Sequence, residues 1–364
     1  MSVKILHAAD LHLDSVFRNL LPEQAKLRRE EGRALPERIA NYVNQNGVQV
    51  VLLAGDLFDG NETYRDTYER LIAALGSMQA RVFIAPGNHD PYSERSPYAA
   101  LEWPENVHIF RSPCIERVEI PELSCAVYGA AFTSTSQEES LLEGFCAEED
   151  GLVHLMVLHG DLNAGEARYD PITKQQIAKS NLDYLALGHI HLRSDVLQEG
   201  ATHYAYCGCP EGHGFDELGE KGVLCGEVSK DGVKLEFVPL ATRRYQILRV
   251  DVTGQAPENA IRSALPKHTT RDLYRVILSG ETDERGVDLN ALMQTFAPDF
   301  YRLDLRDETR IAQDIWARIE EDSLRGIFLR RLREEYEATA DEAQRRQIEL
   351  AVRYGLAALD HREL

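Results

Sequence analysis

Five short stretches of this sequence end in residue types that ligate metal ions: Asp10-x-His12, Gly55-Asp56, Gly87-Asn88-His89-Asp90, His159-Gly160-Asp161 and Gly188-His189-x-His191. Singly each is weak, because Gly-Asp after a strand is more often a turn and a lone histidine more often belongs to a core. Gly-Asn-His-Asp and Gly-His-x-His carry more information, since asparagine and paired histidines are poor choices for a structural turn. All five in this order are hard to explain as turns. A mixed shell of aspartate, asparagine and histidine suits Mn2+, Fe2+ or Zn2+ better than Ca2+, which prefers oxygen ligands throughout. Two such cations about 3.5–4 Å apart can clamp the attacking and leaving oxygens of an in-line displacement at phosphorus. Holding both requires a carboxylate that offers an oxygen to each.

Each motif follows an apolar run: Val3–Ala9 before Asp10, Val50–Ala54 before Gly55, Val82–Pro86 before Gly87, Val153–Leu158 before His159, and Tyr184–Leu187 before Gly188. Continuous apolar runs of this length predict strands buried on both faces. Helical patterns lie between the early ones. One runs from Gln24 to Gln45, broken near Pro36; the other runs from Thr63 to Met78, with Tyr64, Tyr68, Leu71, Ile72 and Leu75 on one stripe. This alternation predicts an α/β architecture with its polar groups at the carboxyl ends of the strands.

After Leu197 the pattern changes to shorter strands, Thr202–Cys207, Val223–Ser229 and Val233–Leu240, the last two joined by the turn Lys230-Asp231-Gly232. A β-α-β-α-β unit then reads across Tyr245–Val252, Pro257–Leu265, Leu273–Ser279, Asp288–Phe296 and Phe300–Leu305. From Glu308 onward the chain reads as helical and highly charged. Ile311, Ile315, Trp316 and Ile319 form one stripe there, and Leu324, Phe328, Leu332 and Tyr336 another. The expected organisation is a domain over 1–242, an α+β capping domain over 243–306 and a helical segment over 307–364.

Of the 364 residues 43% are hydrophobic, too many for a disordered chain, and no apolar run approaches the length of a membrane span. The N-terminal MSVKILHAADLHLD lacks the apolar stretch of a signal peptide, and the six cysteines are scattered without a C-x-x-C pair. Reduced thiols and a cytoplasmic location are therefore expected, with no membrane partner. Sixty acidic residues against 40 basic ones give a formal charge of -20, which argues against a general nucleic-acid coat but leaves room for a local basic groove.

Taken together, the five motifs resemble the calcineurin-like metallophosphoesterase superfamily, whose pattern is D-x-H, G-D, G-N-H, H and G-H-x-H. Asp10-Leu11-His12-Leu13-Asp14, Gly55-Asp56-Leu57-Phe58-Asp59 and Gly87-Asn88-His89-Asp90 look like its Mre11/SbcD branch of DNA-repair nucleases, with the bacterial YhaO-like exonucleases as a particular likeness. The motif likeness covers residues 1 to about 240; beyond them only the layout matches. The resemblance implies a β-sandwich flanked by helices, a small α+β cap and a helical C-terminal tail. It places Asp10, His12 and His191 on a first metal ion and Asn88, His159 and His189 on a second, with Asp56 bridging both. Manganese is the implied ion, with iron(II) or zinc as alternatives. His89 would contact the scissile phosphate and help protonate the leaving oxygen, and Asp59 would orient it. Mre11 itself tends to carry histidine at the Asp59 position, so this chain departs toward the SbcD-like pattern. The competing reading of Asp59 is a turn carboxylate capping the next helix near Asn61.

The activity so implied is metal-dependent phosphodiester hydrolysis by a DNA exonuclease or endonuclease. It would act in repair with a coiled-coil ATPase of the SbcC/Rad50 type, and a homodimer through the helical surface after the first motifs is implied as well. Two other readings stand beside it. One is a phosphodiesterase or phosphatase for small phosphoesters such as cyclic nucleotides, against which the cap and tail argue. The other is a non-catalytic scaffold protein, which the complete ligand set disfavours.

Some residues carry less. The glycine-rich loop from Gly208 to Phe215 could border the cleft, which makes His213 a candidate substrate contact, with a surface turn as the alternative. Cys209 and Glu211 are poorly suited to greet a phosphate, and Cys207 and Cys209 read as packing thiols. His7, His108, His154, His203, His268 and His361 read as core or surface histidines. The run from Arg325 to Arg333 is basic and amphipathic. It is either a solvated helix packed on its neighbour or a docking helix for the ATPase, and Glu334, Glu335 and Glu337 weaken a DNA-binding role.

Overall fold

The side chains of the apolar strands divide by parity between separate cores. Val51 and Leu53 enter a core shared with helices, whereas Val50 and Leu52 enter one shared with a second sheet. That division is the physical meaning of an unbroken apolar run: a strand side chain alternates faces, and here both faces are covered. The computed structural model describes residues 2–17, 20–60, 63–162, 168–282, 286–311, 316 and 319–359. Asn61, Ile315 and His361 lie outside them.

The chain begins with β1 (Ser2–Ala8), α1 (Pro22–Arg33), α2 (Leu35–Gln45), β2 (Val50–Leu53), α3 (Arg65–Gly76), β3 (Arg81–Ile84), α4 (Pro97–Ala100) and β4 (Val107–Ile109). Then follow β5 (Glu116–Ile120), β6 (Cys125–Gly129), β7 (Val153–His159), α5 (Lys174–Lys179), β8 (Tyr184–Gly188), β9 (Leu197–Glu199), β10 (Thr202–Tyr206), β11 (Gly222–Ser229) and β12 (Gly232–Pro239). The break between α1 and α2 falls at Ala34, with Pro36 in the first turn of α2, where its missing N–H costs nothing. One sheet has the order β12-β11-β1-β2-β3-β4 and the other β5-β6-β7-β8-β10-β9. β1 through β4 run parallel, as do β6, β7, β8 and β10. Val3, Ile5, Phe83, Val127, Leu155 and Tyr184 fill the space between the sheets. α2 and α3 cover the outer face of the first sheet through Leu35, Ile39, Val43, Leu71 and Leu75. This is a mixed α/β fold of two sheets flanked by helices.

Beyond it come β13 (Tyr245–Asp251), α6 (Pro257–Ala264), β14 (Leu273–Ser279), β15 (Glu281–Thr282), α7 (Leu289–Phe296), β16 (Arg302–Asp307), β17 (Arg310–Ile311), α8 (Leu324–Ala338) and α9 (Glu342–Leu359). β13, β14 and β16 form a three-stranded sheet. The chain divides into two compact units. The first is Met1–Ile247 with His268–Arg275 and Asp299–Leu303; the second is Leu248–Lys267, Val276–Pro298 and Asp304–Leu364.

Helix does not begin at Glu308, and this corrects the sequence expectation. Glu308 and Arg310 donate their N–H groups to Leu278 and Gly280, and β17 pairs in parallel with β15. Ile311 therefore sits in a strand rather than on a helical stripe; pairing with a distant segment overrides local helical pattern. In the second unit α8 and α9 pack through Leu329, Ile348 and Val352, joined by Phe328, Leu332 and Tyr336. A Cβ on Gly355 would meet the Phe328 ring at 2.2 Å, so glycine sets how closely the helices approach. In the basic run Arg331 pairs with Glu334 and Glu335, and Arg333 with Glu337. Among the described residues no helix is long and apolar enough to cross a membrane.

Candidate metal centre

Register brings the motifs together. Ala8 lies beside Leu53 and Leu53 beside Ile84, while His159 lies beside Gly188, so the motif-bearing turns of each sheet leave at a common level. Those turns are strained. Asp10, His12, Asp56 and His189 hold φ of 54°, 41°, 52° and 99°, left-handed values that non-glycine residues adopt where surrounding structure imposes them. Asp10 N–H donates to Gly55 O and His12 N–H to Asp56 O, each at 3.0 Å, which clips the first two turns together. Two glycines are sterically required. A Cβ on Gly55 would lie 2.5 Å from His159 Nδ1, and one on Gly87 would lie 2.2 Å from Asp56 Oδ1.

All seven residues selected as ligands meet at one place. Asp10, His12 and His191 offer donor atoms within 4.8 Å of one another, and so do Asp10, Asp56 and His159. His12 Nε2 and His191 Nε2 are 3.0 Å apart. Asn88 Oδ1 stands 2.8 Å from His159 Nε2 and 3.2 Å from His189 Nδ1. Asp56 Oδ2 faces both groups, 3.8 Å from His12 Nε2 and 3.3 Å from His159 Nε2. Two carboxylates, one amide oxygen and four imidazoles make a mixed shell that fits divalent transition cations.

The rings are oriented from behind. His159 Nδ1–H donates to Ala54 O at 2.9 Å, which turns Nε2 toward Asn88 and Asp56, and His191 Nδ1–H donates to Glu217. Burial opposes charge on Asp56, yet His159, His12 and the His89 N–H hold its carboxyl well below the usual range. His159, which burial alone would push down, is raised to about 9 by Asp56. Burial and the nearby His159 push His189 down to about 4, so its ring is neutral near pH 7, the form that binds a cation.

His89 is half-exposed beside this cluster. Its N–H donates to Asp56 Oδ1 at 2.9 Å, and its Nδ1 lies 3.2 Å from Asp59 Oδ1. The same Asp59 oxygen is 3.4 Å from His12 Nδ1, and Asp59 Oδ2 accepts from Ser15 Oγ at 2.7 Å. The hydrogen bond that its ring N–H donates to Asp59 raises His89 above its ordinary value. The start of α3 is served by Asp14 instead, whose Oδ2 accepts from Tyr64 N–H and Thr67 Oγ1. His213 stacks on Phe17 and lies 5.9 Å, ring to ring, from His12.

Three neighbours of the site escaped the sequence reading. Asp90, fully enclosed, accepts from the N–H groups of Asp56, Leu57, Phe58 and Gly87 and from Tyr98 Oη. Its place inside a ligand-bearing motif was the available signal. Tyr169 lies 4.9 Å from the His189 ring, and Glu217 lies behind His191; neither carries a local signal. Glu211 points away from phosphate chemistry, buried against Arg28 and Arg38 at 3.0 and 2.9 Å. Cys207 and Cys209 are buried, and burial pushes both thiols well up.

The sequence profile of the calcineurin-like phosphoesterases matches residues 3–193, the span that contains every one of these candidate ligands. The chain belongs to the calcineurin-like phosphoesterase family. It is 32% identical over 299 residues to the "Uncharacterized metallophosphoesterase YhaO" of Bacillus subtilis (strain 168), covering 77% of this chain and 72% of that one. It is 24% identical over 325 residues to the SbcD component of the nuclease SbcCD of Rhodobacter capsulatus, covering 75% of this chain and 78% of that protein. With the "DNA double-strand break repair protein Mre11" of Methanopyrus kandleri it shares 23% over 286 residues, covering 71% and 62%. Calcineurin-like phosphoesterases are phosphoester hydrolases that depend on two metal ions, and the groups Asp10, His12 and His191 and Asp10, Asp56 and His159 offer candidate ligands for such ions.

Proposed function

We propose that this calcineurin-like phosphoesterase is a DNA nuclease of the Mre11/SbcD type, cleaving phosphodiesters at a two-metal centre. The observation that carries the hydrolytic part is Asp56 Oδ2 between His12 and His159, with His89 held alongside by Asp59. Support for DNA comes from the relatives that bear the names SbcCD nuclease and Mre11, whose alignments of 325 and 286 residues are longer than the family profile alone. In this reading Asp10, His12 and His191 hold one ion, Asn88, His159 and His189 the other, and Asp56 both. Manganese is the proposed ion, with Fe2+ or Zn2+ as alternatives. Bound there, the pair supplies positive charge for the phosphate oxygens and lowers the pKa of a water.

The protein's own groups do the rest. His89 Nδ1 is committed to Asp59, so the other ring nitrogen can carry the proton that the leaving oxygen needs. Asp59 keeps the ring turned and favours its protonated form. His213, on the rim, is placed to meet substrate. The formal charge of -20 implies that much of the grip on DNA comes from elsewhere, which favours a coiled-coil ATPase of the SbcC/Rad50 type as partner and leaves room for a homodimer. Six free cysteines support a reducing, cytoplasmic setting.

The test is an assay with Mn2+ on linear duplex DNA of defined ends, with and without the ATPase, beside bis-p-nitrophenyl phosphate and cyclic nucleotides. Degradation of DNA that Asp56→Ala abolishes is the expected result. Turnover of cyclic nucleotides with the DNA left intact would overturn the reading.

A further inference from the structure

Glu217 is buried, and its two oxygens are divided between two histidines. Oε1 accepts from His191 Nδ1; Oε2 accepts from His213 N–H at 2.7 Å and lies 3.4 Å from His213 Nδ1. A carboxylate enclosed in this way is tolerated only with partners of this kind, and both of its partners belong to the proposed centre. The backbone of His191 is held by the same loop, for its carbonyl accepts from Lys221 Nζ at 3.0 Å and Cys209 N–H at 3.3 Å. One segment, 209–221, therefore grips His191 at both ends.

His12 and His191, in the first proposed ion site, differ from His159, in the second, in what stands behind the ring. In the first, His12 Nδ1 faces the carboxylate of Asp59 and His191 Nδ1 that of Glu217. In the second, His159 Nδ1 faces only the neutral carbonyl of Ala54. A carboxylate behind a ligating histidine fixes its tautomer and strengthens it as a donor.

We propose that Glu217 is a positioning residue, which sets His191 for the first ion and ties that ion to the substrate side through His213. The inference rests on the reading of Asp10, His12 and His191 as ligands. Nothing else in the loop duplicates it: Glu211 is taken up by Arg28 and Arg38, and Cys209 is turned to the His191 carbonyl.

The test is titration of the full-length protein with Mn2+ alone, by calorimetry and by the resonance of free Mn2+, for wild type, Glu217→Gln, Glu217→Ala and His213→Ala. Glu217→Gln keeps size and an acceptor but removes the charge. The expected result is that wild type binds two ions and that Glu217→Ala weakens one of them about 10–100-fold, with Glu217→Gln between the two. The metal-free melting temperature of Glu217→Gln should match wild type. His213→Ala should keep both affinities and raise KM. Wild-type affinities for both ions in Glu217→Ala would overturn the inference while leaving the ligand reading intact. A metal-free melting point that falls in step with affinity in both variants would reduce Glu217 to a fold element and overturn it as well. Failure of wild type to bind Mn2+ would remove the ligand reading itself.

Discussion

His89 and Asp59, 30 residues apart in the chain, face each other Nδ1 to Oδ1 at 3.2 Å on the open side of the metal centre. His89 thus meets Asp56 through its backbone and Asp59 through its ring, and it is not one of the seven proposed ligands. Removing the ring should leave the ions in place. For His89→Ala we expect two bound Mn2+ and a hydrolytic rate lower by about 10²–10⁴-fold, read by metal titration and initial rates on one preparation. Normal phosphodiester turnover by this variant would refute its role as proton donor.

Asp56 behaves differently because one of its oxygens faces both groups of donors. Asp56→Ala should lose both ions together, and elemental analysis after gel filtration is the direct measurement. Full retention of metal would remove the bridging assignment.

Asp90 touches no donor atom of the centre, yet five hydrogen bonds end on it, four of them from backbone. Asp90→Ala strands several of those donors in the interior. Hydrogen bonds to a charged group are worth about 1.5–3 kcal/mol each, though losses within one network do not add. We expect a loss of stability of about 3 kcal/mol or more in urea unfolding, together with weaker metal binding. A variant as stable as wild type would show that the brace is dispensable.

His7 makes the fold sensitive to acid. It is wholly buried between Tyr184 Oη at 2.9 Å and Leu187 O at 3.2 Å, and burial pushes it down from 6.5 to about 3. Above pH 6.5 the ring is neutral folded or unfolded and the contribution is complete. As pH falls from 6.5 toward 3 only the unfolded chain takes up the proton, so stability is lost at up to about 1.4 kcal/mol per pH unit. His7→Gln should be less stable than wild type at pH 8, with the gap narrowing steadily below pH 6. A constant gap between pH 8 and pH 4 would count against this account.

The motif-bearing strands were legible because each joins two strong signals, an apolar run long enough to be covered on both faces and a cluster of ligand types after it. Glu116–Ile120 and Cys125–Gly129 have neither. The second is an interior strand of its sheet, buried at every position, yet it is short and ends in glycine with no motif behind it. Glu211 and Glu217 show the same limit in the site. Glu211 finds its arginines 183 and 173 residues away, and no local pattern announces such a pairing. Glu217 reaches His191 only because the chain returns after 26 residues. What a motif contains could be read from the sequence; what stands behind it depends on tertiary closure.

The brace at Asp90 also bears on how the site meets its substrate. Loops that carry function usually open by local fluctuation, well below the cost of global unfolding. Here three successive amides, those of Asp56, Leu57 and Phe58, end on one enclosed carboxylate. Their exchange with deuterium should be as slow as that of the central strands. On the proposed reading, a floor held this firmly does not adapt its shape to one ester over another, and discrimination among substrates falls to the surrounding walls.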